Sequence, residues 1–479
     1  MRRFYLLAIT LAAALPLLQG ATASAATTGI GTSVVKAGPK NGGGEPSMAI
    51  APDNSIYISY PGGGMNLVRS FDGGVTWTPG TSPESPSGDT SVNVDSSGRV
   101  YESNLNVING TNSLQVDIFK SFDKGQTWPQ HSQSFLNPQN SSGQPFFVDR
   151  QWIDCMIPLG KTTNDAICSL EYHDFVAGTV WVSTSKDGAR TFGPPINVIN
   201  SPLAIADSYC NTIPGGLKIV PPGNNPRGIP YKHPGRIFAG WLAADAANAA
   251  TGCNETQLAG FHSSWIAYSD DQGATWTDQL VFDAGPGHDG SEIFADLTLD
   301  DEGNPYVAFP MNLRGEYDIW VSASYDGGVT WMVPVMGNRD TGTHYFAAVA
   351  AGLPGRVDVT WIETSDIIPS TPNGKPSPGA DANSDWRVGV SQSLNFNSGQ
   401  PSFTQSIVTP TPMHHGDVCT LGLFCAAVVG SNRDLLDFND IQIDQKGRAH
   451  VAFTGDFGSY NGIYSANQVS GPTVGAPGH

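Results

Sequence analysis

Carboxylates dominate the side chains of this chain that have chemistry to offer, and several stand where a strand is about to begin. Asp149 is followed by Arg150, Glu292 comes just after His288 and Asp289, and Asp89 precedes an alternating segment that starts at Ser91. Glu45 sits in Gly44-Glu45-Pro46-Ser47, ahead of another such segment. His344-Tyr345, Arg433-Asp434 and Asp437 belong to the same pattern, as do Asp207 and Asp440. Three chemistries suit such a set. Two carboxylates flanking a sugar, one protonated as acid and the other acting as base or nucleophile, cleave a glycosidic bond. Crowding acids in a cleft raises one pKa as that reaction needs. Asp149 and Glu292 are the preferred pair, with Asp89 in reserve. Arg150, His344 and Arg433 then hold substrate hydroxyl or carboxylate groups, with Glu45 and Asp437 beside them. Hard oxygen ligands in a concave site also suit a divalent cation, calcium; no EF-hand spacing is present, so its ligands would come from separate segments. The plainest alternative is a solvated face with Asp residues capping turns. Catalysis by carboxylates requires no cofactor, and no phosphate-binding glycine loop, Gly-x-Ser-x-Gly elbow or zinc-protease motif occurs.

These residues act together only if the fold gathers them, and the elements that would do so are repeated. One octapeptide, Ser-x-Asp-x-Gly-x-Thr-Trp, stands at Ser70 to Trp77, Ser121 to Trp128, Ser269 to Trp276 and Ser324 to Trp331. A fifth copy, Ser185 to Phe192, has Ala189 where Gly is expected, and a sixth near Ser393-Leu394-Asn395 is barely recognisable. The residue types describe a tight turn between antiparallel strands. Asp accepts from turn amides, Gly takes the positive φ that other residues resist, and the Trp or Phe opens the next strand and covers apolar surface toward a neighbouring sheet. A second pattern precedes each box: an alternating strand, a short Asp/Gly turn, then a strand rich in Tyr, Val and Phe, as in Met48 to Ile58 and Val92 to Tyr101. Period-2 alternation bounded by Gly, Asp and Asn is the signature of a hairpin.

Each unit is therefore two hairpins, a four-stranded sheet that cannot bury both faces alone. Radial stacking solves this and leaves few edges. The expected fold is an all-β, seven-bladed β-propeller of four-stranded antiparallel blades, with six blades as the alternative. Inner hairpins begin near Ser47, Ser91, Arg150, Ser208, Ala295, Ala347 and Asp440. The last unit lacks a box, and the strand near Gly462 to Val469 is expected to share its blade with Ile30 to Val35, closing the ring. In this arrangement the loops entering the innermost strands meet at one mouth of the channel, and they carry the residues named above. Phe294, Phe346 and Phe438 each open an inner strand and are expected at the channel wall.

The boxes resemble the Asp boxes, or BNR repeats, of the sialidase superfamily over nearly the whole chain after residue 25. The resemblance implies a propeller with the boxes on the outer rim, away from the active-site face. It also implies three arginines clamping a substrate carboxylate, a Tyr nucleophile assisted by a Glu, and an Asp acid/base. Tyr345 is the candidate nucleophile on that mechanism. The first blade has no Arg-Ile-Pro motif, however; Glu45 stands where the clamp would start, and Arg69 is the only arginine there.

Bulk properties set the compartment and exclude some partners. Arg2-Arg3, an apolar run from Phe4 to Leu18 and Ala23-Ser24-Ala25 read as a secretory signal cleaved after Ala25, leaving residues 26–479 as a single propeller domain. The expected location is extracellular, with no membrane span after cleavage. A net charge of −19 excludes a nucleic-acid partner; a glycan or glycoconjugate is the expected partner, and ring closure suits a monomer. Six cysteines in an exported chain suggest three disulfides. Cys155 and Cys168 flank a hairpin, Cys419 and Cys425 close a small loop, and Cys210 and Cys253 remain for each other.

Overall fold

The computed structural model describes residues 29–39, 43–62, 65–83, 88–107, 114–134, 148–174, 178–244, 260–290, 294–369, 379–420, 422, 425, 431–458 and 461–475. The segment read as a secretory signal, Cys253 and Glu292 lie outside these residues, as does most of the Pro-rich stretch that follows Pro369. Within them the chain forms seven antiparallel sheets of four strands, in sequential order in all but the last, whose outer strand comes from the start of the described chain, with one short extra strand at the edge of the sixth. The blade count is thus seven. No helix among the described residues is long and apolar enough to cross a membrane.

The first strands of the seven sheets are Ser47–Ile50, Thr90–Val94, Val148–Met156, Asn211–Ile219, Asp296–Leu299, Thr343–Ala351 and Asp440–Ile443. Each lies against the first strands of the sheets before and after it, and the last contacts the first, so they line a closed channel. Closure follows the expected route. Gly31–Lys36 pairs with Gly462–Ser470 as the fourth strand of the last blade, joining the two ends of the described chain in one sheet.

Alternation along each strand divides its side chains between two gaps. Ile56, Ile58 and Tyr60 pack with Ala452 and Ile463 of the last blade, whereas Tyr57 packs with Val92 and Val100 of the second. Seven buried apolar clusters result, one in each gap between consecutive blades. The box aromatics complete them. Trp77, Trp128, Phe192, Trp276 and Trp331 each pack into the gap facing the preceding blade.

The boxes have the geometry their residue types require. Asp271 Oδ1 accepts from the Thr275 amide at 2.8 Å and Oδ2 from the Thr275 hydroxyl at 2.6 Å, while Ser269 Oγ donates to Asp271 and accepts from the Gly273 amide at 2.9 Å. Ala189 takes the glycine's role at φ 66° and keeps the bond to Ser185 Oγ. The sixth copy survives in reduced form: Asn395 Oδ1 accepts from the Ser393 hydroxyl at 3.2 Å and from the Ser402 amide at 3.1 Å. Each box follows the third strand of its blade, so antiparallel alternation puts it at the end of the molecule opposite the inner-strand starts.

Hydrogen bonds from Thr275 and Ser269 hold the Asp271 carboxyl down at about 2. A carboxyl with a lowered folded-state pKa contributes stability above its unfolded pKa, and the contribution is lost as pH falls through the folded value. Asp271→Ala is expected to cost about 1 kcal/mol near neutral pH, the usual loss for a capping carboxylate. The deficit should shrink toward pH 2. Chemical denaturation across that pH range checks this.

Candidate functional site

The loops leading into the inner strands bring Glu45, Asp89, Asp149, Arg150, Arg433 and Asp437 into one electrostatic cluster, contributed by the first, second, third and last blades. Arg150 is its hub. The residue adopts φ 40°, a left-handed conformation, at a register shift in the third inner strand. Its amide donates to Asp89 Oδ2 at 3.1 Å, and its Nη1 donates to the Thr90 carbonyl at 2.9 Å. The guanidinium lies over Phe438 at 3.8 Å and over Trp152 at 4.4 Å. It is 2% exposed, and its Nε and Nη2 make no hydrogen bond.

Arg433 forms a two-point ion pair with Asp437, at 2.7 and 2.5 Å, and its Nη2 lies 3.7 Å from Glu45 Oε1. Burial raises the Glu45 carboxyl well above the ordinary range. Asp89 and Asp437 add to the rise, and Arg433 and Arg150 oppose it. The Asp149 carboxyl is also well raised, by burial first, then by the charge of Asp89 and a hydrogen bond to that carboxylate. Asp149 and Asp89 thus stand carboxyl to carboxyl, and both side chains keep some solvent exposure.

Below this cluster the channel is filled by aromatic rings. Trp152 packs on Phe294 at 5.4 Å and on Phe438 at 6.4 Å, and Phe294 meets Phe438 edge-on at 5.9 Å. Two of the three phenylalanines expected at the channel wall are therefore there. Phe346 is buried instead in the cluster between the sixth and seventh blades. Deeper acids serve the framework. Asp440 accepts from the Met48 amide at 2.6 Å, Asp154 from the Ile219 amide at 2.6 Å, and Asp296 from the Val349 amide at 2.8 Å, each across a blade boundary. Burial raises Asp296 to about 7, helped by Asp440, and raises Asp440 to about 6. Lys218 lies among them and opens, with Asp154, onto a cavity of about 410 Å³ at the far mouth.

Other sequence candidates have separate neighbours. His344 is fully buried, between the Tyr317 carbonyl at 2.8 Å and Asp340 at 3.1 Å. Tyr345 stacks on Trp386 at 5.4 Å, and its buried hydroxyl has Asp289, Asp381 and Asp417 as its nearest charges. Asp289 itself accepts from the Gly260 and Phe261 amides. Glu292 lies outside the described residues. Arg150 and Arg433 converge on Glu45, and no third guanidinium among the described residues bonds to this cluster: Arg236 pairs with Asp270, Arg314 with Asp318, and Arg448 with Asp444.

The cysteine framework agrees with its spacing. Cys155–Cys168 and Cys419–Cys425 are disulfides. Cys210 is also disulfide-bonded, and its expected partner Cys253 falls outside the described residues. The second disulfide lies beside the cluster, with Cys425 Sγ 3.9 Å from Arg433 Nη1.

Sequence reasoning missed the Asp381–Asp417 pair, whose carboxyls bond to each other and fasten loops at the Val418, Gly379 and Asn432 amides. It also missed Asp340 and Glu363 beside His344. All four sit outside the repeat pattern, which was the signal being followed.

No protein-family model and no curated protein sequence matches the chain. Solved structures do. A polysaccharide lyase acting on ulvan aligns with 92% of this chain and 96% of its own at 12% identity, with a TM-score of 0.49. A protein of unknown function from Dyadobacter fermentans covers 92% and 98% at 15% identity, with a TM-score of 0.45. An α-L-arabinanase from Penicillium chrysogenum, complexed with arabinobiose, covers 70% and 94% at 14% identity, with a TM-score of 0.42. At such identities the residues of the site must be judged on their own geometry.

The raised carboxyls carry a stability signature. Their folded-state pKa lies above the unfolded value, so the native state holds the extra protons and stability falls as pH rises through the folded pKa. With Asp440 at about 6 and Asp296 at about 7, the thermal midpoint is expected to fall between about pH 4 and those values. Asp149→Asn, which mimics the protonated carboxyl and can still donate to Asp89, is expected to raise the midpoint at pH 7 and flatten part of the slope. Calorimetry of both proteins from pH 4 to 8 checks this.

Proposed function

We propose that the protein is an exported, glycan-active propeller that hydrolyses glycosidic bonds, with Asp149 delivering the proton to the leaving oxygen. The Asp89–Asp149 pair carries this reading. Asp149 is a carboxylic acid held protonated above the ordinary carboxylate range, hydrogen-bonded to a second carboxylate and still partly open at a channel mouth. A glycosidic oxygen needs such an acid near neutral pH. The two carboxyls touch, so they cannot also be the opposed acid and base or nucleophile, which stand about 5 to 9.5 Å apart. The second carboxylate comes from across the mouth, from Glu45 or Asp437; Glu292, the partner expected from the sequence, lies outside the described residues. Arg433 and Arg150 orient substrate oxygens, and the partly exposed Trp152 face offers an apolar floor for a sugar ring. The signal segment and the disulfides fit action outside the cell on a glycan or glycoconjugate, by a monomer.

The filled channel and the amide-bound deeper acids favour a second reading, a non-catalytic propeller that binds carbohydrate or protein at this mouth. One experiment separates the two. The purified protein is assayed on a panel of chromogenic glycosides, sialosides and polysaccharides beside Asp149→Asn. Hydrolysis is expected, with kcat falling about 10²- to 10⁴-fold in the variant, the usual worth of a general acid, and KM little changed. Equal turnover by the two proteins rejects the assignment of Asp149. Glycan binding without turnover of any substrate establishes the second reading.

A further inference from the structure

Asp340, His344 and Glu363 stand apart from the mouth cluster and place one nitrogen and two carboxylate oxygens within 4.8 Å of one another. Three separate pieces of chain in and before the sixth blade deliver them. His344 lies near the start of the inner strand, Glu363 faces it in register on Val357–Thr364, and Asp340 comes from the loop joining the fifth blade to the sixth. His344 Nδ1 lies 2.8 Å from the Tyr317 carbonyl oxygen. A carbonyl only accepts, so Nδ1 carries the hydrogen and Nε2 is the atom turned toward Asp340 Oδ1, 3.1 Å away. An imidazole lone pair facing two carboxylates is repulsive unless a proton sits on Nε2 or a cation sits between them. The nearest fixed cation does not supply one: Arg387 stands opposite Glu363 on the third strand, but its Nε bonds to the Pro410 carbonyl.

The surroundings are those of a metal centre's outer shell. Metal-bound histidines donate their other ring N–H to a carbonyl or carboxylate, and ligating carboxylates are themselves hydrogen-bonded. Trp361 Nε1 donates to Glu363 Oε2 at 2.5 Å, and Gln405 Nε2 donates to Asp340 Oδ1 at 2.9 Å and to Glu363 Oε2 at 3.3 Å. The 3.1 Å between Nε2 and Oδ1 is close to the edge of a tetrahedron with bonds of about 2.0 to 2.1 Å, roughly 3.3 Å.

We propose that Asp340, His344 and Glu363 bind one borderline-soft divalent cation of the zinc class, with water on the exposed Asp340 side as fourth ligand. The imidazole argues against calcium, which takes oxygen ligands. The ion clips the loop before the sixth inner strand to that blade's second strand. This assignment is independent of glycan cleavage at the other cluster.

The competing occupant is a proton on Nε2, making a simple ion pair. Untagged full-length protein is stripped with chelator and titrated with zinc chloride at pH 7.5 by calorimetry, with cobalt as a spectroscopic probe. One equivalent is expected, with a higher thermal midpoint and the visible absorption of a four-coordinate cobalt site. His344→Gln should abolish binding. Because that buried variant can misfold, Asp340→Asn, at a side chain 45% exposed, is the second test. It should weaken zinc by more than the roughly 10- to 100-fold that an outer-shell loss costs, while Gln405→Ala should give a loss within that range. No zinc binding by the wild type, or equal affinity in wild type and Asp340→Asn, overturns the proposal and leaves the protonated ion pair.

Discussion

A four-stranded sheet of this size has two apolar faces and no layer of its own to cover them. Every other feature of the molecule answers to that shortage. Because side chains alternate, one strand serves two gaps at once: Ile56, Ile58 and Tyr60 face backward and Tyr57 forward. Removing any blade would expose a face on both of its neighbours. At about 1.5 to 3 kcal/mol for each large apolar side chain, gaps holding Trp241 and Trp265 or Trp361 cannot be left open. An open arc would have two such faces at its ends, so the ring must close. Closing it with Gly31–Lys36 beside Gly462–Ser470 makes the final gap depend on both ends of the chain together.

Radial packing creates a second problem at the centre. Inner strands converge, and their outward-facing amides need acceptors where there is little room for large side chains. Short polar residues supply them across the boundaries: Asp440 to the Met48 amide, Ser47 to Val92, Asn93 to Cys155, Asp154 to Ile219 and Asp296 to Val349. This belt explains why a propeller channel is rich in acids without being an active site. Asp296 and Asp440 have raised pKa values because they are buried, yet their oxygens are already spent on the framework. A perturbed carboxyl in a cleft is a functional candidate only in probability. What separates Asp149 and Glu45 from the belt is that each stands against several ionisable groups at once, with Asp89 and Asp437 raising both.

The fold was legible because its signal is repeated and local. Asp72, Asp123, Asp187, Asp271 and Asp326 each build their turn from bonds within four residues, so the octapeptide alone describes the geometry. The inner hairpins were legible from alternation, and their expected starts fall within a few residues of the observed strands. The site was legible only to the level of the mouth. Knowing that loops before the inner strands meet there is enough to gather Glu45, Asp89, Asp149, Arg150, Arg433 and Asp437. It does not say which way a side chain turns once there. His344 and Tyr345 are adjacent and point to opposite faces of one strand, His344 toward Trp361 and Tyr345 toward Trp386. Nor does a strand pattern foretell that Arg150 lies over Trp152 and Phe438, since that depends on a left-handed residue at a register shift.

The proton inventory of the mouth follows from those same rings. Two guanidiniums face four carboxyl groups, and full ionisation would leave two negative charges uncompensated in a space that is only partly open to water. Raising Glu45 and Asp149 well above the ordinary range removes that excess, so Arg433 pairs with Asp437 and Arg150 stands against Asp89. The aromatic floor is therefore an electrostatic device as well as a plug. It withholds the solvent that would stabilise a third and fourth carboxylate, and it keeps a proton on Asp149 at a pH where an exposed aspartate would have none. Two raised carboxyls leave the mouth less negative than its four acids alone would make it. That suits the uncharged hydroxyls and ring faces of a sugar, on a molecule whose overall charge of −19 already repels a dense polyanion.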